Sequence, residues 1–126
     1  MRVIKTSELT GADLDWAAAK CEGENPFVIP FKNSKGATIY TTWGSYQNGI
    51  PYNPSNHWSQ GIRIIERERI HICPITIDGK KAWQCWLEEF PEIRREGEIL
   101  LVAAMRAYVA SVFGDAVVMP KELEED

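Results

Sequence analysis

The sequence lacks every short pattern by which a chain declares its chemistry. Its two histidines, His57 and His71, stand apart, with no H-x-x-x-H, no C-x-x-C and no Asp-rich calcium loop. Nothing therefore has the spacing that holds a zinc or calcium ion, and no metal or other cofactor is expected. "GADLDWAAAK" carries a single glycine, whereas a phosphate-cradling loop needs several to bring backbone N–H groups close to the anion. There is no G-x-S-x-G elbow, and Ser59 follows His57 by only two positions. On a helix such neighbours point apart, so no catalytic residue is assigned. No apolar run approaches the roughly 18 residues that a membrane span requires. The opening "MRVIKTSELT" has only Val3 and Ile4 as an apolar patch, far short of a secretory signal, so the expected location is a cytoplasm.

Cysteine is sparse too. Cys21, Cys73 and Cys85 form an odd set without paired spacing, and with no export signal they are expected as free thiols. His71 and Cys73 would share one face of a strand, and they read as neighbours on a sheet rather than a thiolate–imidazole pair. Excess positive charge is also missing. The net charge of −4 argues against a general affinity for duplex DNA. "IERERI" alternates in sign, and Arg94 and Arg95 lie between Glu92 and Glu96, which is the pattern of solvated faces. The acidic pairs Asp13 with Asp15, Glu66 with Glu68 and Glu88 with Glu89 are expected in water. Acid–base work would need one of a pair to be raised by burial.

What remains is an ordinary globular composition, 44% hydrophobic and 25% charged over 126 residues, which fits one domain. "RVIK" reads as a short edge strand. A first helix starts at Ser7 or Thr10, either of which can offer a capping hydroxyl, and Gly23 stops it. Leu14, Ala17, Ala18 and Cys21 recur at helical spacing and form its core stripe. "PFVIPF" and "ATIYTTWGSY" flank the turn formers "KNSKG" as a hairpin, and Pro30 suits an edge because it cannot donate to a ladder. A long loop, "GSYQNGIPYNPSN", follows. A second helix begins within Asn53 to Ser55, with Pro54 tolerated in its first turn. "RIHICPITI" and "KAWQCWLEEF" make a second hairpin around Asp78-Gly79, with a bulge or an edge at Pro74. "EGEILLVAAMRAYVASVFG" is apolar nearly all round, so it is a buried helix ended by Gly114. The fold class is α+β: a single domain over residues 1–119, with an antiparallel sheet of two hairpins covered by about three helices, in the order α-β-β-α-β-β-α. Residues 120–126 form an acidic tail.

Aromatic density is the one unusual abundance. Of the five tryptophans, Trp43 in "TTWGSY", Trp58 in "NHWSQ" and Trp16 after Asp15 stand beside polar groups. A flat ring among amides and guanidinium groups can stack on a base and read its edge; the plainer alternative is that each ring anchors the core. The densest such set makes a candidate ligand-binding site of Trp43, Tyr46, Asn53, Ser55, Asn56, His57, Trp58, Gln60 and Arg63. Helical spacing puts Trp58 and Ile62 together toward the sheet. Trp58 can then serve a pocket only at the sheet's end, where the loop brings Trp43 or Tyr46.

Three stretches of the chain, "KTSELTGADLDWAAAKCEG" at 5–23, "YNPSNHWSQGIRIIERERI" at 52–70 and "ILLVAAMRAYVASVFGDAVVMPKEL" at 99–123, resemble in order and spacing the signature blocks of phage NinX-like proteins. Two departures stand out: the last helix is entered by "REGEIL" instead of a Gly-Pro-Thr-Pro-like run, and His57 replaces a small or acidic residue. The resemblance implies an accessory protein of tailed phages and prophages of enteric bacteria, working in the host cytoplasm, with a fold similar to small phage α-β-α sandwich domains. With no nucleophile and no metal set, the expected role is non-enzymatic: binding a host or phage protein during infection. The alternative is binding or sequestering a small nucleotide-like ligand against host defence.

Overall fold

The computed structural model describes residues 2–30, 37–41 and 50–123. In chain order the elements are β1 (Arg2–Lys5), α1 (Gly11–Cys21), β2 (Phe27–Pro30), β3 (Ala37–Tyr40), α2 (Trp58–Arg67) and β4 (Ile70–Ile77). There follow β5 (Lys80–Leu87), β6 (Arg95–Gly97), α3 (Leu100–Phe113), β7 (Ala116–Met119) and a short 3-10 turn at Lys121–Leu123. All strand pairs are antiparallel.

Helix α3 is the centre of the core, and its sequence explains why. Leu101, Ala103, Ala104, Met105, Ala107, Tyr108, Val109 and Ala110 are all buried, because β5 and β6 pack on one side of the helix and α1 on another. Alanines at the contacts let the neighbouring backbones come close, while Met105 and Val109 fill the space between. Helix α1 repeats the device with Leu14, Ala17, Ala18 and Ala19 buried. Gly114 ends α3 at φ 82°, and Gly23 follows α1 at φ 78°, a region that favours glycine because it has no Cβ to clash.

The largest sheet has the order β4-β5-β6. Its hairpin turns on Asp78 (φ 49°) and Gly79 (φ 80°), a left-handed pair that matches the twist of the flanking strands. Ile77 faces Lys80 and His71 faces Trp86 in the register. Pro74 sits opposite Trp83 without a bulge, on the outer strand, where its missing N–H leaves no ladder bond unmade. On the solvent face Trp86 is sandwiched: His71 stacks on it at 5.4 Å, and the Arg94 guanidinium lies 3.8 Å from its ring centre.

The expected class and the helix–hairpin order hold, with three differences. The two hairpins do not share a sheet: β2-β3 and β4-β5-β6 are separate. "RVIK" does form a strand, but it pairs with "AVVM" after α3, Val3 facing Val118. Helix α2 starts at Trp58, later than Asn53–Ser55, since residues 54–56 form a separate turn with His57 N–H donating to Asn53 O at 2.9 Å. Beyond β7, the Leu123 side chain is buried and its carbonyl accepts from the Arg2 guanidinium at 2.7 Å.

Candidate functional site

The turn before α2 is fixed from below. Tyr52 N–H donates to Ile39 O of β3 at 2.7 Å. Ser55 N–H donates to the Asp15 carboxylate of α1 at 3.0 Å, with Ser55 3% and Asp15 4% exposed. Gln60 reaches back from α2, accepting from Asn53 N–H at 2.8 Å and donating to Pro51 O at 2.9 Å. Gly61 lets the turn and α3 close on α2, since a Cβ there would meet Pro54 O at 2.7 Å and Leu101 Cδ2 at 2.6 Å. Only glycine admits that approach.

On this base the chain emerges abruptly. Asn56, His57, Trp58, Ser59 and Arg63 are exposed, Trp58 by 55%. The stripe Trp58, Ile62, Ile65 exists as the spacing requires, but it runs from solvent at Trp58 through half-buried Ile62 to buried Ile65. Trp58 therefore does not face the sheet, because it is the first residue of the helix and overhangs the core. His57 precedes the helix in extended conformation (φ −116°, ψ 106°). That is why Ser59 Oγ and His57 Nδ1 meet at 2.9 Å, contrary to the rule for two helical neighbours. The pair is exposed, and no acid orients the other ring nitrogen among the described residues, so it lacks the third member of a hydrolytic triad.

Of the nine candidate residues, the structure gathers Asn56, His57, Trp58 and Arg63 on the outer surface, and turns Asn53, Ser55 and Gln60 inward as its supports. Trp43 and Tyr46 lie outside the described residues. Arg63 has no carboxylate partner among the described residues. Two clefts lined by described residues lie elsewhere. One of about 270 Å³ is bounded by Arg67, Arg69 and Glu88, and one of about 470 Å³ by Ile77, Ile99, Val102 and Arg106. Among the described residues no group of His, Cys, Asp and Glu is arranged to hold a metal ion. The cysteines are free, and burial pushes the Cys85 thiol up to about 12, which leaves it inert as a nucleophile. Among the described residues no helix is long and apolar enough to cross a membrane.

Asp15 is the residue that sequence reasoning misplaced. Its pairing with Asp13 predicts a solvated carboxylate, yet burial raises its carboxyl to about 7, with Ser55's hydrogen bonds pulling the other way. The available signal was "AAA": a helix with alanine at three successive positions is covered around most of its girth, so a residue beside its stripe is covered too. A second polar knot lies near. Tyr108 donates to Glu22 at 2.6 Å, Arg67 pairs with both Glu22 oxygens at 2.6 and 3.0 Å, and the Arg67 guanidinium lies 5.8 Å from the Tyr108 ring centre. This bidentate pair draws the C-terminal ends of α1 and α2 onto α3.

These contacts join the three stretches 5–23, 52–70 and 99–123 directly: Asp15 with Ser55, Gly61 with Leu101, and Glu22 with Arg67 and Tyr108. No curated protein matches the chain. Residues 5–112 match the family model described as Bacteriophage P22, NinX.

Proposed function

The chain belongs to the bacteriophage P22 NinX family, which makes it a phage accessory protein, and we propose that it acts without chemistry, by docking the Trp58 face on a host or phage protein during infection. The observation that carries this reading is a tryptophan 55% exposed at the head of a helix whose preceding turn is bolted down from beneath. Leaving a large ring in water has no value to the fold. A rigid, exposed Trp with a polar rim is the make-up of an interface hot spot, because little entropy is lost when it is covered. Asn56, His57 and Ser59 supply the rim, and Arg63 supplies a cation with no carboxylate partner among the described residues.

A nucleotide-like ligand is the second reading, favoured by one observation. The Asn53 side-chain oxygen is buried with no hydrogen-bond partner among the described residues, a state that usually calls for a ligand or water. The 55% exposure of Trp58 favours the protein partner, since a ring lining a small-ligand pocket would be more enclosed.

Affinity capture from infected cells with wild type, Trp58→Ala and Lys81→Ala compares the two faces. A hot-spot Trp is worth about 2 kcal/mol or more, so Trp58→Ala is expected to reduce recovery of the partner at least tenfold, while Lys81→Ala, far out on the hairpin, retains it. Equal recovery by all three would refute the docking face. Thermal shifts with a nucleotide panel that disappear in Trp58→Ala would replace it with the ligand reading.

A further inference from the structure

We propose that Asp15 is the positioning residue of the Trp58 face: its carboxyl and the Ser55 amide form a buried clasp that holds the Trp58-bearing turn on α1 when protonated and releases it when ionised. This rests on the docking reading of Trp58 given above.

The geometry places the clasp at the point of control. Ser55 is the last buried residue before the chain emerges, and Asn56, His57 and Trp58 are exposed one after another beyond it. Ser55 N–H donates to Asp15 Oδ1 at 3.0 Å, and the Ser55 hydroxyl bonds the same carboxyl. No ion pair reaches Asp15 among the described residues. A carboxylate closed in this way has two neutral donors from one residue to replace its hydration, which is too little to hold a full charge away from water.

The neighbouring titratable groups do not supply the missing charge. On the same turn, the Tyr52 phenol feels Asp15, Glu22, Cys21 and Arg67, and it is itself raised, chiefly by burial. Its oxygen is buried without a hydrogen-bond partner among the described residues. From α1, Glu22 and the Cys21 thiol add only acids, and from α3 comes the Tyr108 hydroxyl, already given to Glu22. The cation there among the described residues, Arg67 of α2, is occupied by Glu22 and Glu68. Ionised Asp15 therefore gains by reaching water, and what gives way is the turn that closes over it through the Ser55 hydrogen bond.

The direction of control follows from which state binds the proton more tightly. The closed carboxyl titrates at about 7 and an open one near the ordinary 3.8. Between those values the closed form keeps its proton and the open form has lost it. Each unit of rising pH then shifts the clasp about tenfold toward open, and the shift ends above neutrality. The turn is held most firmly in acid and least firmly at pH 7 and above.

Amide hydrogen exchange of Ser55 in the full ¹⁵N-labelled chain reads the clasp directly. After correction for the ordinary base-catalysed rate, Ser55 is expected to lose protection about tenfold per unit from pH 5 to pH 7, whereas Asp15→Asn, which keeps the acceptor and cannot ionise, shows no such loss. Equal pH dependence in the two proteins would overturn the proposal. Should Asp15→Asn fail to fold, carbon NMR of the wild-type carboxyl decides: a midpoint of about 7 supports the clasp, and one near 3.8 overturns it. Partner capture at pH 6 and pH 8 separates the two readings. Where Ser55 behaves as described but Trp58→Ala leaves capture intact, the docking face is wrong and the clasp stands. Where Trp58→Ala abolishes capture but Ser55 ignores Asp15, the face stands and the clasp is wrong.

Discussion

Replacing Gly61 by alanine sets two calculable effects against each other. Alanine is the better helix former by about 1 kcal/mol, because glycine loses more backbone freedom on folding. Against this, the new Cβ would lie 2.6 Å from Leu101 Cδ2 and 2.7 Å from Pro54 O, well inside the roughly 3.5–4.0 Å of a favourable carbon contact. The Leu101 methyl can swing away at the cost of packing. Pro54 O cannot, since the next residue is held by Asp15 and the one before it by Gln60. Overpacking of this kind costs about 1–3 kcal/mol, and two contacts at once place it at the upper end. The expected net effect of Gly61→Ala is a loss of about 1–2 kcal/mol, or a melting temperature lower by about 4–8 °C. Urea titration of Gly61→Ala, Leu101→Ala and the double variant measures it. The second substitution should cost less on the Leu101→Ala background, because one of the two clashes is already gone. A Gly61→Ala protein as stable as wild type, or more so, would refute the close approach of turn, α2 and α3.

Other outcomes follow from the same contacts. Because the Asp15 carboxyl sits at about 7 when folded and 3.8 when free, the folded state binds the extra proton between those values; its contribution falls by about 1.4 kcal/mol per pH unit from 4 to 7, near 4 kcal/mol in all, and urea midpoints for Asp15→Asn should lack that slope. Tyr108→Phe removes the hydroxyl between Glu22 and Arg67 and should cost about 1–2 kcal/mol by the same titration, with the Glu22–Arg67 pair left in place. Met105→Ala opens a hole at a fully buried point of α3 and should cost about 2–5 kcal/mol. Trp58→Ala should cost under about 1 kcal/mol, since a loss of about 3 kcal/mol or more would mark the ring as core.

The elements that could be read from sequence are those whose pattern is local. Asp78-Gly79 fixes its hairpin with two adjacent residues, and "ILLVAAMRAYVASVFG" shows a buried helix by having no polar side. Pro74 in "HICPITI" points to a bulge or an edge, and β4 is an edge without a bulge. What sequence did not show depends on remote partners. "AVVM" after Gly114 is a strand because "RVIK", before α1, lies against it, and four residues carry too little periodicity to say so alone. The start of α2 was placed too early because Asn53 and Pro54 are good helix-initiating residues, and here they build a turn that Asp15 and Gln60 complete from outside. In the candidate site, side-chain polarity could not separate the outward Trp58 and Arg63 from the inward Ser55 and Asn53. That division is made by α1.

The ribbon of β1 and β7 sets the order of events during synthesis. Arg2 faces Met119 and Lys5 faces Ala116, so β1 has as its partner a strand made only after α3. Helices α1 and α3 and the β4–β5 hairpin can assemble from contacts closer in sequence, while Ile4 and its neighbours wait with their backbone groups unpaired. Closing so long a loop is slow, and a waiting strand edge is where a nascent chain is most exposed to pairing with another. Lys5 on that edge, beside the exposed Val3, supplies a charge that discourages such pairing until β7 arrives.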